Sequence, residues 1–335
     1  MFPYEIKPLD DELNKEQLEF FKGERSGFCT VGPDKWFLPI SYKKHAEAFY
    51  NLELKDDDIF IVTFPRTGTT ITQELIWMIN NNFDYEKSSK IPLFTKFPFL
   101  DLDVLIHDDF GKEMVSKNTD PEVLEVLKLW KTPVDKLAKL TPSPRHFKTH
   151  LPFSLLPTTL LDKCKVVYLA RNMKDVALSY YYHNKLIKLH DYAGDFERYW
   201  NYFKNDQVVY APYWRHIEEG WEKKEHPNLM FLFYEDIIKD MKNVIRNVAK
   251  FLGKEVTDSD VDGLYNHLQI GNFSKNVPIF AKSKINGWLN ETDEGFIRKG
   301  DSRGKSEFTD EIKKEAEEWE KEKCSRNHIV FPSKS

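Results

Sequence analysis

Ile59-Phe60-Ile61-Val62-Thr63-Phe64-Pro65-Arg66-Thr67-Gly68-Thr69-Thr70 is the stretch on which the fold turns. Its first six residues form an apolar run of β-branched and aromatic side chains, the pattern of a strand buried on both faces. Pro65 to Thr70 then reads as a turn. Beyond it, Ile71, Leu75, Met78 and Asn82 recur at helical spacing. The reading is strand, tight loop, helix. A helix that begins there presents amide N–H groups with no partners inside the helix, and its dipole favours an anion at that end. Gly68 lets backbone approach a ligand, Thr67, Thr69 and Thr70 add hydroxyls, and Arg66 adds a permanent positive charge.

The same alternation recurs. Residues 165–170 and 229–234 read as further buried strands. Helices are expected over 173–189 and 235–252, the latter stopping at Gly253. Strands that alternate with helices imply a mostly parallel sheet covered on both sides, hence an α/β fold. One domain spanning 1–335 is expected. Residues 83–146, with prolines at 92, 98, 121, 133, 142 and 144, read as short helices and loops inserted between core strands. The charged stretch 309–324 reads as a helix with Ile312, Ala316 and Trp319 turned inward.

Composition narrows the function. Net charge is −5, which argues against a nucleic-acid-binding surface. An anionic ligand would therefore need a local basic cluster. The three cysteines, Cys29, Cys164 and Cys324, are widely spaced, so neither a disulfide framework nor a metal site is indicated. The first residues lack a signal-peptide pattern and no apolar run reaches membrane-spanning length. A cytoplasmic protein without membrane attachment is the expectation. The loop also lacks the G-K-[ST] ending of a P-loop nucleotidase.

Four more segments stand beside the loop: Lys148-Thr149-His150, the run 170–181 with Arg171 and Ser179, Phe231-Leu232-Phe233-Tyr234-Glu235-Asp236, and Phe296-Ile297-Arg298-Lys299-Gly300. Together, and in this order, they resemble the motifs of the cytosolic sulfotransferases: Y-P-K-S-G-T-T-W, K-T-H, A-R-N-x-K-D-V-x-x-S-Y-Y, F-x-F-Y-E-D and F-x-R-K-G. Among that family the chain looks most like its insect members, which include a retinol dehydratase.

The resemblance implies a P-loop-like sulfotransferase fold. It implies transfer of a sulfuryl group from PAPS (3'-phosphoadenylyl sulfate), with PAP as product and no metal, to a hydroxyl of a small phenol, steroid or other alcohol. His150 would be the general base, and Lys148 and Arg66 would stabilise developing charge. Arg66, Thr67, Gly68, Thr69 and Thr70 would hold the phosphosulfate end of the donor. Arg171, Ser179, Arg298, Lys299 and Gly300 would hold its 3'-phosphate, with Ile71, Tyr234, Leu268 and Ile270 near the adenine. Phe28, Phe94, Phe97, Phe99 and Tyr182 are acceptor-pocket choices made on aromatic character and neighbourhood. Arg66 and Ile71 stand where relatives have Lys and Trp. The family dimer motif is degraded: Lys305 and Thr309 fit, while Asp310 and Lys314 do not. A homodimer is therefore left open. Competing readings are a dehydratase that sulfonates an alcohol and then eliminates sulfate, a non-catalytic binder of PAP or PAPS, and a P-loop kinase.

Overall fold

The computed structural model describes residues 1–280, 284–290 and 307–332. Its centre is a four-stranded sheet in the order β5-β4-β6-β7, built from β4 (Ile59–Thr63), β5 (His146–Thr149), β6 (Lys165–Ala170) and β7 (Leu229–Phe233). Every neighbouring pair is parallel. The sheet that carries the site is thus wholly parallel. A second, antiparallel sheet joins β1 (Ile6–Pro8), β2 (Phe28–Val31) and β3 (Trp36–Pro39).

The strands alternate between two hydrophobic cores because successive side chains point to opposite faces. Phe60, Val62, Val166, Tyr168 and Ala170 face one core, which also takes the aromatic residues of the helices Phe196–Lys204 and Tyr213–Glu222. Ile59, Ile61, Val167 and Leu169 face the other. There they meet the helices Thr69–Asn80 and Met241–Leu252 through Leu75, Ile76, Ile245 and Val248. This is one α/β domain with helices on both faces of its sheet.

Several elements differ from expectation. The 173–189 helix ends at Leu186, because Ile187 turns extended and bridges to Leu289. The 235–252 helix is two helices, Tyr234–Lys239 and Met241–Leu252. Asp240 leaves helical geometry between them, and its carboxylate caps the second by accepting from Asn243 N. Gly253 closes that helix in the left-handed conformation, φ 74°. The insertion forms six short helices, from Tyr85–Lys90 to Val134–Leu140. The C-terminal helix is Asp310–Asn327, with Ile312 and Ala316 buried and Trp319 packed on Trp200, Phe203 and Trp214.

Candidate active site

Parallel strands end together, and ligands bind α/β sheets at their carboxyl ends. That end is where the functional residues gather. The loop 64–68 follows β4, His150 follows β5, Arg171 follows β6 and Tyr234 follows β7. Register aligns Val62 with Thr149, Thr63 with Leu169, and Ala170 with Phe233, so the four segments emerge side by side.

The loop is shaped by two left-handed residues, Arg66 (φ 70°) and Gly68 (φ 107°). Gly68 is required on two counts. Its φ suits residues without a Cβ, and a Cβ there would lie 2.5 Å from Cδ2 of Tyr234. Thr67 is buried and its hydroxyl donates to the Phe64 carbonyl, so it shapes the turn from within. Thr69 opens the helix and its hydroxyl pairs with that of Thr63 at 2.8 Å. Thr70 and Ile71 are half-buried at the first turn.

His150 is buried, between the rings of Phe99 and Tyr210. Burial, then the nearby Lys148 ammonium, holds its pKa well below the usual value, so the imidazole is neutral. Nδ1 lies 2.7 Å from the Thr63 carbonyl oxygen. A carbonyl only accepts, so Nδ1 carries the proton and Nε2 carries a lone pair. No hydrogen bond to Nε2 is found among the described residues. The backbone is clamped as well: His150 N–H donates to Asp101 Oδ2 (3.1 Å), which also accepts from the Tyr210 hydroxyl (2.6 Å). Burial raises the Asp101 carboxyl to about 6.

Lys148 Nζ sits 4.1 Å from the centroid of Phe99 and 4.8 Å from that of Phe94. Burial pulls this ammonium down to about 8, with Asp101 opposing the shift and Arg66 adding to it.

Arg171 lies over the ring of Tyr234, 4.3 Å from its centroid, and Nη1 donates to the Arg66 carbonyl at 3.0 Å. Its Nε is buried without a hydrogen bond among the described residues, and the Asp175 carboxylate is 4.0 Å away. Ser179 is brought to Arg66, whose Nε donates to Oγ at 3.0 Å. Arg66 Nη1 lies 3.5 Å from His183 Nδ1, one turn further along the same helix. Arg66, Arg171 and Ser179 thus form one connected basic group beside the helix start. It fits a phosphorylated ligand: an orphaned buried guanidinium nitrogen is satisfied by a phosphate oxygen.

The remaining choices divide. Phe94 and Phe99 adjoin Lys148. Phe28 is buried against Phe21 and Phe37 in the same core as Phe99. Phe97 is fully buried on the opposite core, with its ring on His146, so it is not brought to Lys148 and His150. Tyr182 is half-buried with its hydroxyl on Glu307. Leu268 is buried beside Leu75 and Ile76, while Ile270 is 45% exposed. Arg298, Lys299 and Gly300 lie outside the described residues, as does Lys305. Thr309 caps the C-terminal helix by accepting from Ile312 N. Thr63, Asp101 and His183 belong to the site and carry no motif of their own.

A neutral imidazole whose Nε2 has no hydrogen bond among the described residues, a buried ammonium and a glycine turn at a helix start, all at the carboxyl end of a parallel sheet, suit group transfer from a phosphorylated donor. Comparison with known proteins says which. A model of the sulfotransferase domain matches residues 56–328. Luciferin sulfotransferase of Photinus pyralis is 31% identical over 330 residues, covering 96% of this chain and 85% of that protein. Sulfotransferase 1A1 of Bos taurus is 35% identical over 274 residues, covering 80% and 84%. A solved structure of retinol dehydratase in complex with androsterone and inactive cofactor PAP superposes with a TM-score of 0.89, at 32% identity and 99% coverage of both chains.

The chain belongs to the sulfotransferase family. It is a PAPS-dependent enzyme that transfers a sulfuryl group to a hydroxyl of a small acceptor. No helix among the described residues is long and apolar enough to cross a membrane.

Proposed function

We propose that His150 is the general base of sulfuryl transfer, and that Lys148 and Arg66 stabilise the charge that develops as transfer proceeds. PAPS, once bound, supplies an activated sulfuryl group. His150 Nε2 takes the acceptor's hydroxyl proton, leaving the oxygen as nucleophile. The observation that carries this reading is the 2.7 Å contact of His150 Nδ1 with the Thr63 carbonyl, which fixes the tautomer with its lone pair on Nε2. Lys148 contributes a point charge in a site walled by Phe94 and Phe99, where low polarity strengthens it.

Arg171, whose Nε has no hydrogen bond among the described residues, and Ser179 bind the 3'-phosphate, and the N–H groups around Gly68 to Thr70 bind the phosphosulfate end. Tyr234 and the half-buried Ile71 border the adenine. Arg298, Lys299 and Gly300 complete the phosphate site in this proposal. The acceptor enters past Phe94 and Phe99, so an apolar, flat alcohol or phenol is the favoured class. A cytosolic setting agrees with three free cysteines, two of them buried.

The test is His150→Ala, assayed by transfer of labelled sulfate to a panel of phenols, steroids and retinoids. Turnover should vanish while PAP binds as before; substantial remaining turnover would remove His150 from the base role.

The 0.89 superposition on retinol dehydratase favours a second outcome for a polyene alcohol. After sulfonation, the C–O bond breaks, sulfate leaves as the anion, and a carbon-bound proton is lost to form a further double bond. Product analysis with retinol separates a stable sulfate ester from an anhydro product.

A further inference from the structure

His216 is fully buried in the helix Tyr213–Glu222, and nothing in the transfer chemistry uses it. Its Nε2 lies 3.0 Å from the carbonyl oxygen of His150. Its Nδ1 lies 2.7 Å from the hydroxyl of Tyr168, which is also 2.8 Å from the His216 carbonyl. Tyr168 is fully buried in β6, with Phe153 and Phe231 stacked on its ring.

These contacts fix the tautomer of His216. The His150 carbonyl only accepts, so His216 Nε2 carries a hydrogen. Burial holds His216 neutral, near 4, so Nδ1 is bare, and the Tyr168 hydroxyl proton lies between two acceptors, Nδ1 and the His216 carbonyl. The His150 carbonyl therefore sets the tautomer of His216, the Tyr168 hydroxyl holds both the ring and the carbonyl of His216 in place, and His216 grips the peptide of His150. Gly220, one turn on, keeps the helix against Tyr168: a Cβ there would meet the ring at 2.9 Å.

We infer that His216, oriented by Tyr168, is a positioning residue for His150: it fixes the peptide from which the imidazole projects, opposite the Asp101 clamp on the N–H. His150 is the first residue beyond β5, which ends at Thr149. Past that point the sheet no longer holds the chain. Asp101 fixes one side of the residue through N–H and His216 the other through C=O. With both in place the ring keeps its Nδ1 on Thr63 and presents Nε2 in one direction. Releasing the carbonyl lets the peptide rotate and the ring drift. A displacement of about 1 Å in a reacting group costs up to ~100-fold in rate. Binding of the nucleotide, which rests on the loop and Arg171, does not depend on this contact.

This inference rests on the base role proposed for His150, so His150→Ala is assayed in parallel. His216→Phe removes both ring nitrogens at similar size. His216→Gln keeps a donor at about the reach of Nε2. The expected result is a kcat for H216F about 10- to 100-fold below the parent, with acceptor KM and PAP Kd within twofold. H216Q should recover most of that loss. Tyr168→Phe, which deletes only the hydroxyl, should lower kcat several-fold with KM unchanged, and it decides the matter if H216F does not fold. An unchanged kcat in Y168F or H216F overturns the inference. So does an H216Q as slow as H216F, or a fall in PAP binding that matches the fall in kcat. An inactive H150A beside a fully active H216F overturns the positioning role alone. An active H150A overturns the base role and this inference with it.

Discussion

The imidazole Nδ1 of His150 and the carbonyl oxygen of Thr63 lie 2.7 Å apart, and this contact joins the ends of two neighbouring parallel strands. Thr63 closes β4, from which the loop 64–68 departs. His150 leaves β5. One hydrogen bond therefore sets the tautomer of His150 and ties its ring to the strand end from which the loop 64–68 departs.

A pH prediction follows from the two groups beside that contact. His150 is held well below the ordinary histidine range by burial and by Lys148, so lowering the pH through 6.5 does not protonate it. Lys148 titrates near 8, so raising the pH through that value removes its charge and its stabilising effect. In kcat/KM, which reports the free enzyme, the profile with a non-ionising alcohol acceptor should fall above about 8, and on the acid side it should lose activity only near 6 and below, where Asp101, the clamp on the His150 N–H, gains its proton. Lys148→Arg should move the alkaline limb beyond the measurable range, at a lower plateau because a planar fork does not replace a point charge. An acid limb centred on 6.5 in the parent enzyme contradicts the assignment.

Arg171→Ala should weaken PAP far more than it weakens the acceptor. The side chain brings a buried Nε with no hydrogen bond among the described residues and a guanidinium already oriented by Tyr234 and the Arg66 carbonyl. Hydrogen bonds to charged groups contribute roughly 1.5–3 kcal/mol each. Losing one should raise the PAP Kd about 10- to 150-fold, read by calorimetry, with acceptor KM within twofold. Lys in place of Arg loses the fork and should recover only part of the affinity. An unchanged Kd in R171A would take the 3'-phosphate away from this residue.

Gly68→Ala should damage the loop through both backbone and neighbour. The φ of 107° strains any residue with a Cβ, and that Cβ would meet Tyr234 at 2.5 Å. Strain of this kind costs about 1–3 kcal/mol. The variant should unfold at lower urea and bind PAP less tightly. Combined with Tyr234→Ala, the clash is gone but the φ strain stays, so the double variant should lose less than the sum of the singles. Strict additivity would show that the two residues do not touch.

How far the chain is legible depends on where each residue's reason to exist lies. The strands Ile59–Thr63, Lys165–Ala170 and Leu229–Phe233 are almost wholly apolar, so their burial is written in their own composition. The strand His146–Thr149 reads His-Phe-Lys-Thr and is just as central to the site, yet its polar side chains hide it. It is a strand because β4 offers it an edge. The three antiparallel strands, of three or four residues each, are too short for a period to show, and the cap at Asp240 splits what periodicity alone reads as one helix.

In the site, Arg66, Gly68, Lys148, His150 and Arg171 stand in short contiguous motifs and are readable for that reason. Thr63, Asp101 and His216 reach His150 from 87, 49 and 66 residues away in the chain, each through a main-chain atom of one of the partners. Main-chain partners leave no trace in side-chain patterns. Phe97 shows the converse, an aromatic two residues from Phe99 that faces the other core across the sheet.

The last prediction concerns the far side of the helix that carries the loop. Glu74 is completely buried, one turn beyond Thr70. Its carboxylate takes Lys96 Nζ at 2.7 Å, Ser88 Oγ at 2.5 Å and His267 Nε2 at 2.9 Å. Burial alone would raise this carboxyl; the bonds from His267, Lys96 and Ser88 outweigh it and keep the pKa below the usual range. Burial likewise lowers Lys96, against the pull of Glu74. Each charge is thus tolerated only because the other is present. Removing one partner strands the other in the core, at a cost of about 3–5 kcal/mol. Lys96→Met alone should therefore destabilise strongly in urea unfolding, and so should Glu74→Leu alone. The pair changed together should cost much less than the two losses added, since no uncompensated charge remains. Additive losses would instead mean that shape, rather than charge pairing, is what this cluster supplies to the helix beneath the loop.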